Sequence, residues 1–191
     1  MKKLLIAAAL VLVAAGALAQ APHKYGIKYG IVKTVTDAGG QKTTTTLWFD
    51  EYGARERSSV KKDLGNGMGE AEWVTISLPD GKSYLLDATR KTSTVIPRPD
   101  INYLNMSDEA KAARKAKIVG KETIDGLECD IWEENVKQIL GTVKVVSWVW
   151  KGIPVKYTTD NPKSETMLSG FEQPASIDPS LFEIPADYKK K

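Results

Sequence analysis

The chain has 191 residues, with 27 Lys and Arg against 24 Asp and Glu, one His and one Cys. A lone Cys cannot form an internal disulfide, so the fold must hold without one. A zinc site takes three or four His, Cys or carboxylate ligands, and this supply is too thin to suggest one. Without Lys2 and Lys3 the basic count falls to 25 against 24 acidic residues, a near balance that gives no reason to expect a nucleic-acid partner.

The first element in chain order is a leader. Lys2 and Lys3 precede an apolar run from Leu4 to Leu18, and Ala17-Leu18-Ala19 fits the small-x-small rule of signal peptidase. The run is shorter than the roughly 20 apolar residues of a membrane-spanning helix. The expectation is a signal peptide over residues 1–19, cleaved after Ala19, that exports a single domain of residues 20–191 to the periplasm. No Cys sits at the cleavage point, so a lipid-modified N-terminus is not expected.

From Tyr25 onward the dominant period is two, the signature of strands. Tyr25, Ile27, Tyr29, Ile31 and Val35 alternate with small or polar residues, and Asp37-Ala38-Gly39-Gly40 turns the chain. Thr43, Thr45, Leu47 and Phe49 return, Asp50-Glu51-Tyr52-Gly53 turns again, and Ala54–Lys62 reads as a charged strand. Gly65, Gly67 and Gly69 lack both the spacing and the Lys-Ser/Thr end of a phosphate-binding loop, so they read as a connection. Val74, Ile76 and Leu78, then Ser83–Leu86 and Thr92–Ile96, continue a meander that Pro97 and Pro99 stop.

One helix follows. Ser107 is a good N-cap, Asp108-Glu109 suit the positive helix start, and Ala110–Lys117 is rich in Ala and Lys. Its apolar face is only alanine, so it buries little and must lie on a sheet or act as a flap. Strands resume at Ile118. Ile124-Asp125-Gly126 makes a hairpin, and Leu127–Glu134 leaves it with Cys129 on an apolar face, a buried thiol rather than a reactive one. In Thr142–Trp150 the alternation changes phase, which predicts either burial on both faces or a bulge near Val145-Val146. Val155–Thr158 and Thr166–Phe171 complete the strands, and Ile177–Phe182 reads as a capped turn pinned by Leu181 and Phe182.

No residue pattern points to catalysis. His23 lies near the chain start with no partners for a nucleophilic triad. Glu133 and Glu134 are strand neighbours and point to opposite faces. Five tryptophans, Trp48, Trp73, Trp132, Trp148 and Trp150, are the more informative set. Each is a core candidate, but a curved sheet covered by one thin helix leaves apolar stripes uncovered. These five are therefore the candidates for lining an apolar cavity.

Three segments carry a resemblance. They are Lys121-Glu122-Thr123-Ile124-Asp125-Gly126-Leu127-Glu128-Cys129-Asp130-Ile131-Trp132, then Trp148-Val149-Trp150-Lys151-Gly152-Ile153-Pro154-Val155-Lys156, then Leu181-Phe182-Glu183-Ile184-Pro185. With the leader, the meander and the mid-chain helix, this layout resembles the LolA/LolB lipoprotein-carrier superfamily, or the uncharacterised exported domain family related to it. The resemblance implies a mainly β (α+β) fold, a strongly curved, incompletely closed antiparallel half-barrel with one or few covering helices over an apolar cavity. The carriers hold acyl chains there and use an arginine near the early strands to tie the lid shut. Arg55 and Arg57 lie in the matching region, although the carrier pattern around them is absent.

The expected function is thus a non-catalytic periplasmic binding protein for a lipid or lipidated protein, with no cofactor and no metal. The Lys189-Lys190-Lys191 tail reads as a solvated end, with transient membrane-surface contact as its alternative role. The rival readings are an envelope protein-interaction or assembly module with a filled cavity, and a hydrolase with a carboxylate site near Arg55 or Arg57.

Overall fold

A computed structural model describes residues 23–65, 68–98, 101–138 and 141–191. The expected leader over residues 1–19, Gly67 and Pro99 lie outside these. Six strands run first: β1 (Gly30–Ala38), β2 (Gln41–Asp50), β3 (Arg55–Asp63), β4 (Glu70–Ser77), β5 (Lys82–Asp87) and β6 (Thr92–Pro97). The helix α1 (Asp108–Arg114) follows, then β7 (Lys117–Ile124), β8 (Leu127–Gln138), β9 (Gly141–Trp150), β10 (Ile153–Asp160), β11 (Lys163–Glu172) and the short β12 (Lys189–Lys190).

All twelve strands form one sheet, in the order β12-β6-β5-β4-β3-β2-β1-β11-β10-β9-β8-β7. It is curved, open and antiparallel, apart from the parallel pairing of β12 with β6. Two meanders, β1–β6 and β7–β11, are joined through the β1–β11 pair. The expected half-barrel is therefore the observed architecture. One consequence of this order was not visible in the periodicity. β6 and β7 lie toward opposite ends of the sheet, so the crossover between them, which carries α1, must traverse a sheet face.

Local chemistry explains the corners. Asp125-Gly126 and Lys151-Gly152 are two-residue hairpin loops with positive φ at both positions, the type I′ geometry that matches strand twist. Ser107 Oγ accepts the Ala110 N–H at 3.1 Å and starts α1, and Lys115 ends it in the left-handed conformation. As its composition predicts, α1 has no buried residue.

The β8–β9 register runs without a shift from Asp130↔Val149 to Gln138↔Gly141. The phase change in β9 is thus burial on both faces, not a bulge: Val143, Ser147 and Val149 are buried and Trp148 and Trp150 half-buried. The irregularity lies instead between Pro154 and Lys156 of β10.

The main core gathers Tyr25, Ile27, Val32, Phe49, Cys129, Ile153 and Val155. Cys129 is fully buried and its Sγ donates to the Leu127 carbonyl at 3.3 Å. Burial raises the pKa of this thiol, consistent with a packing role. A second cluster, Ile76, Tyr84 and Leu86, is covered by Ile184 and Tyr188 of the C-terminal segment. That segment turns at Pro179–Phe182, capped by Asp178, and buries Phe182.

Candidate functional site

Residues directly opposite each other on paired strands share a face. Val32 opposes Leu47, which opposes Ser58, and Thr34 opposes Thr45. Across the sheet Tyr157 opposes Ser147, and Glu134 opposes Val145. These residues line one cavity of about 400 Å³, together with Val136 and Pro154. Its other walls are Ile101, Tyr103 and Arg114 from the crossover, and Lys24 and Tyr25 from the segment before β1. A space of this size lies within the range of small-molecule sites, roughly 300–1,000 Å³.

Two buried carboxylates fasten the covering segments to the sheet. Glu134 of β8 is 2% exposed. It accepts the Tyr103 hydroxyl at 2.6 Å and Arg114 Nε at 2.6 Å, and Tyr103 Oη also lies 3.2 Å from Ser147 Oγ. Burial, reinforced by the Glu134 carboxylate, pushes the Tyr103 pKa well up, so it remains a donor. Arg114's own hydrogen bond to Glu134 raises its pKa against the cost of desolvation. Glu134 is thus paired and hydrogen-bonded, the condition under which a buried charge is tolerated, while Arg114 keeps access to solvent.

Glu56 of β3 does the corresponding work at the other end. Lys24 Nζ donates to both its oxygens at 2.8 and 2.9 Å, Tyr25 Oη donates to Oε1, and Arg98 donates to Oε2 at 3.0 Å. Arg98 also donates to the carbonyls of Gly53, Ala54 and Leu78. Burial opposes ionisation of Glu56, but Lys24, the Tyr25 hydroxyl and Arg98 outweigh it and hold its pKa below the usual value. The two covering segments are also tied to each other. Asn102 and Asn105 donate to the His23 carbonyl at 3.1 and 2.7 Å. Gly152 passes beneath this junction with φ +83°, and a Cβ there would lie 2.5 Å from the Lys24 carbonyl oxygen.

The predicted aromatic residues fall in separate places. Trp132 is buried, opposes Ser147 and packs against Tyr103 with ring centroids 5.5 Å apart. Trp73 opposes Val60, which opposes Thr45, so it shares the cavity-bearing face but stays 46% exposed. Trp48 opposes Ile31 and Arg57, out of phase with Leu47. Trp148 donates Nε1 to Glu122 at 2.6 Å beneath Lys156, and Trp150 meets Phe171 edge-on at 5.2 Å. Both pack on the main core.

Arg55 chelates Asp50 and lies over the Phe182 ring, and Arg57 donates to the Leu181 carbonyl at 3.2 Å. Both arginines therefore hold the C-terminal turn. The arginines that fasten the crossover are Arg98 and Arg114. Periodicity could not single out these two, nor Glu56 and Glu134, because their partners are 20 to 45 residues away in sequence. The one available signal was that Arg114 is the sole arginine in an alanine-lysine helix. Among the described residues, no group of three or more His, Cys, Asp or Glu is placed to hold a metal ion.

Comparison of the sequence with known protein families and with curated proteins returns no match. Among solved structures, the chain is similar to an uncharacterized conserved protein from Thermus thermophilus. The TM-score is 0.56 at 8% identity, over 86% of this chain and 90% of that one. MucB, solved in complex with MucA(peri), aligns at TM-score 0.49 and 11% identity over 83% of this chain and 55% of that one. A putative outer membrane lipoprotein-sorting protein domain from Vibrio parahaemolyticus aligns at TM-score 0.38 and 12% identity over 81% and 89%. The Thermus likeness shows a shared fold; it does not carry function.

Proposed function

We propose that this chain is a non-catalytic LolA-like binding protein. It would be exported to the periplasm and hold an apolar ligand, a lipid or the lipid of a lipidated protein, beneath the crossover. The observation that carries this reading is the cavity of about 400 Å³ between Val32, Leu47, Val136 and Val145 on the sheet and Ile101 and Tyr103 on the crossover. Burying apolar surface contributes about 25 cal/mol per Å², so these walls favour a hydrocarbon chain. Release would follow from opening the Glu134 latch. Glu56 and Glu134 support a structural rather than a catalytic role, because each is already hydrogen-bonded to a tyrosine hydroxyl and at least one cation, and the buried Asp50 is held by Arg55. Of the five tryptophans, Trp132 is the one we place in the site, as the support behind Tyr103.

A protein-interaction module is the second reading. Trp73 and Leu85, 46% and 36% exposed, favour it, since Leu85 opposes Thr75 on the cavity-bearing face.

Native mass spectrometry of protein purified gently from periplasm, followed by solvent extraction, tests the binding function. A co-purifying lipid or lipopeptide is expected. A clean apo mass, together with no uptake of added fatty acid or phospholipid, overturns it and leaves the interaction module.

A further inference from the structure

We propose that the cavity selects a single-chain amphiphile with an anionic head, a fatty carboxylate or alkyl phosphate, over a neutral apolar molecule of equal length. This rests on the binding function proposed above and names its ligand class. The cavity is not uniformly apolar. Lys24 and Arg114 line it alongside Val32, Leu47, Val136 and Val145.

Each cation has donors to spare. An ammonium has three N–H groups and a guanidinium five. Lys24 makes two hydrogen bonds, both to Glu56, and Arg114 uses only Nε, on Glu134. Among the described residues their remaining N–H groups have no protein acceptor. Both side chains keep access to solvent, at 22% and 24% exposure.

The charge count has the matching sign. Lys24, Arg98 and Arg114 face two carboxylates, Glu56 and Glu134, which leaves one positive charge over. Four hydroxyls, on Thr34, Thr45, Ser58 and Tyr157, line the same cavity. Among the described residues none makes a side-chain hydrogen bond. A neutral hydrocarbon would strip water from these donors and replace nothing, which is costly. An anionic head returns acceptors to them, and charge-assisted bonds are the strong ones.

Displacement of the neutral dye Nile red by laurate and by methyl laurate at pH 7.5 tests this, because the two probes share a chain and differ in head charge. Laurate is expected to displace the dye at a concentration on the order of ten-fold lower, the scale of one hydrogen bond to a charged group. The ratio should fall toward one in Lys24→Met, where Glu56 keeps Tyr25 and Arg98. It should fall likewise in the double variant Arg114→Gln with Glu134→Gln, which retains a neutral hydrogen bond in the latch. An unchanged thermal transition establishes that each variant folds. Equal displacement by the two probes overturns head selection while leaving cavity binding intact, as does a ratio that survives in both variants. Failure of the wild type to take up Nile red or either probe overturns both proposals.

Discussion

Glu134 on β8 and Arg114 at the end of α1 form a buried carboxylate–guanidinium contact of 2.6 Å, and this contact fixes a helix that has no buried residue of its own. Hydrophobic burial cannot hold α1 down. A charge pair, helped by the Tyr103 hydroxyl on the same carboxylate, supplies what the alanine face lacks.

The latch gives the first prediction. Glu134→Ala leaves Arg114 without its acceptor and Tyr103 with only Ser147 at 3.2 Å, and should cost about 2 to 3 kcal/mol. This is below the range for fully buried pairs, because Arg114 can turn toward solvent. Amide hydrogen exchange should rise selectively in residues 101–116, with the β1–β11 ladder still protected. A uniform rise across the sheet would mean that Glu134 supports the whole fold rather than the crossover.

The second prediction concerns pH. The folded-state pKa of Glu56 is lowered from the ordinary 4.5. Its contribution to stability is therefore fully present above 4.5 and is lost as pH falls through the lowered value. Glu56→Gln should lower Tm at pH 7, and the gap from wild type should narrow below pH 4.5. A gap that is constant from pH 7 to pH 3 would show that the carboxylate charge is not what binds Lys24 and Arg98.

Gly152 supplies the third. Alanine there meets a positive φ and the Lys24 carbonyl at once, so Gly152→Ala should cost about 2 kcal/mol of stability. It should also displace the segment that lines the cavity. Alanine at Gly126 meets a similar φ but nothing within 4 Å, and it should cost less. Paired thermal melts of the two variants make the comparison.

Most strands, the turns and the helix were legible in the sequence because each depends on local chemistry. The exceptions are the two ends: Tyr25, Ile27 and Tyr29 alternate like a strand but lie in a bent segment before β1, and the Lys189–Lys190 tail, expected as a solvated end, pairs with β6. Alternation places Cys129 inside, and Ser107 caps the helix whatever lies across from it. The buried side of β9 was readable only as an ambiguity, resolved by the unbroken β8–β9 register. The site was far less legible. Tyr103 and Glu134 are 31 residues apart and Arg98 and Glu56 are 42 apart, and nothing in period or composition joins them. Tryptophan count drew notice to Trp148 and Trp150, which pack on the main core, whereas the cavity is walled by smaller residues such as Val136 and Val145. Arg55 and Arg57 are candidates only through the resemblance, which implies a lid arginine near the early strands. Their reach to the C-terminal turn follows from where residues 173–191 come to lie, which no local pattern encodes.

Uptake of Nile red by wild type and by Val145→Phe is the most direct measurement of the central claim, that the space beneath the crossover receives a ligand. Val145 lines the cavity, so a larger side chain fills empty space, and Tm should hold or rise. Val145→Phe is expected to fold normally and to lose at least about ten-fold in dye affinity, the equivalent of roughly 1.4 kcal/mol. Wild-type affinity in a folded Val145→Phe variant would contradict the claim, because the dye would then bind somewhere other than this cavity.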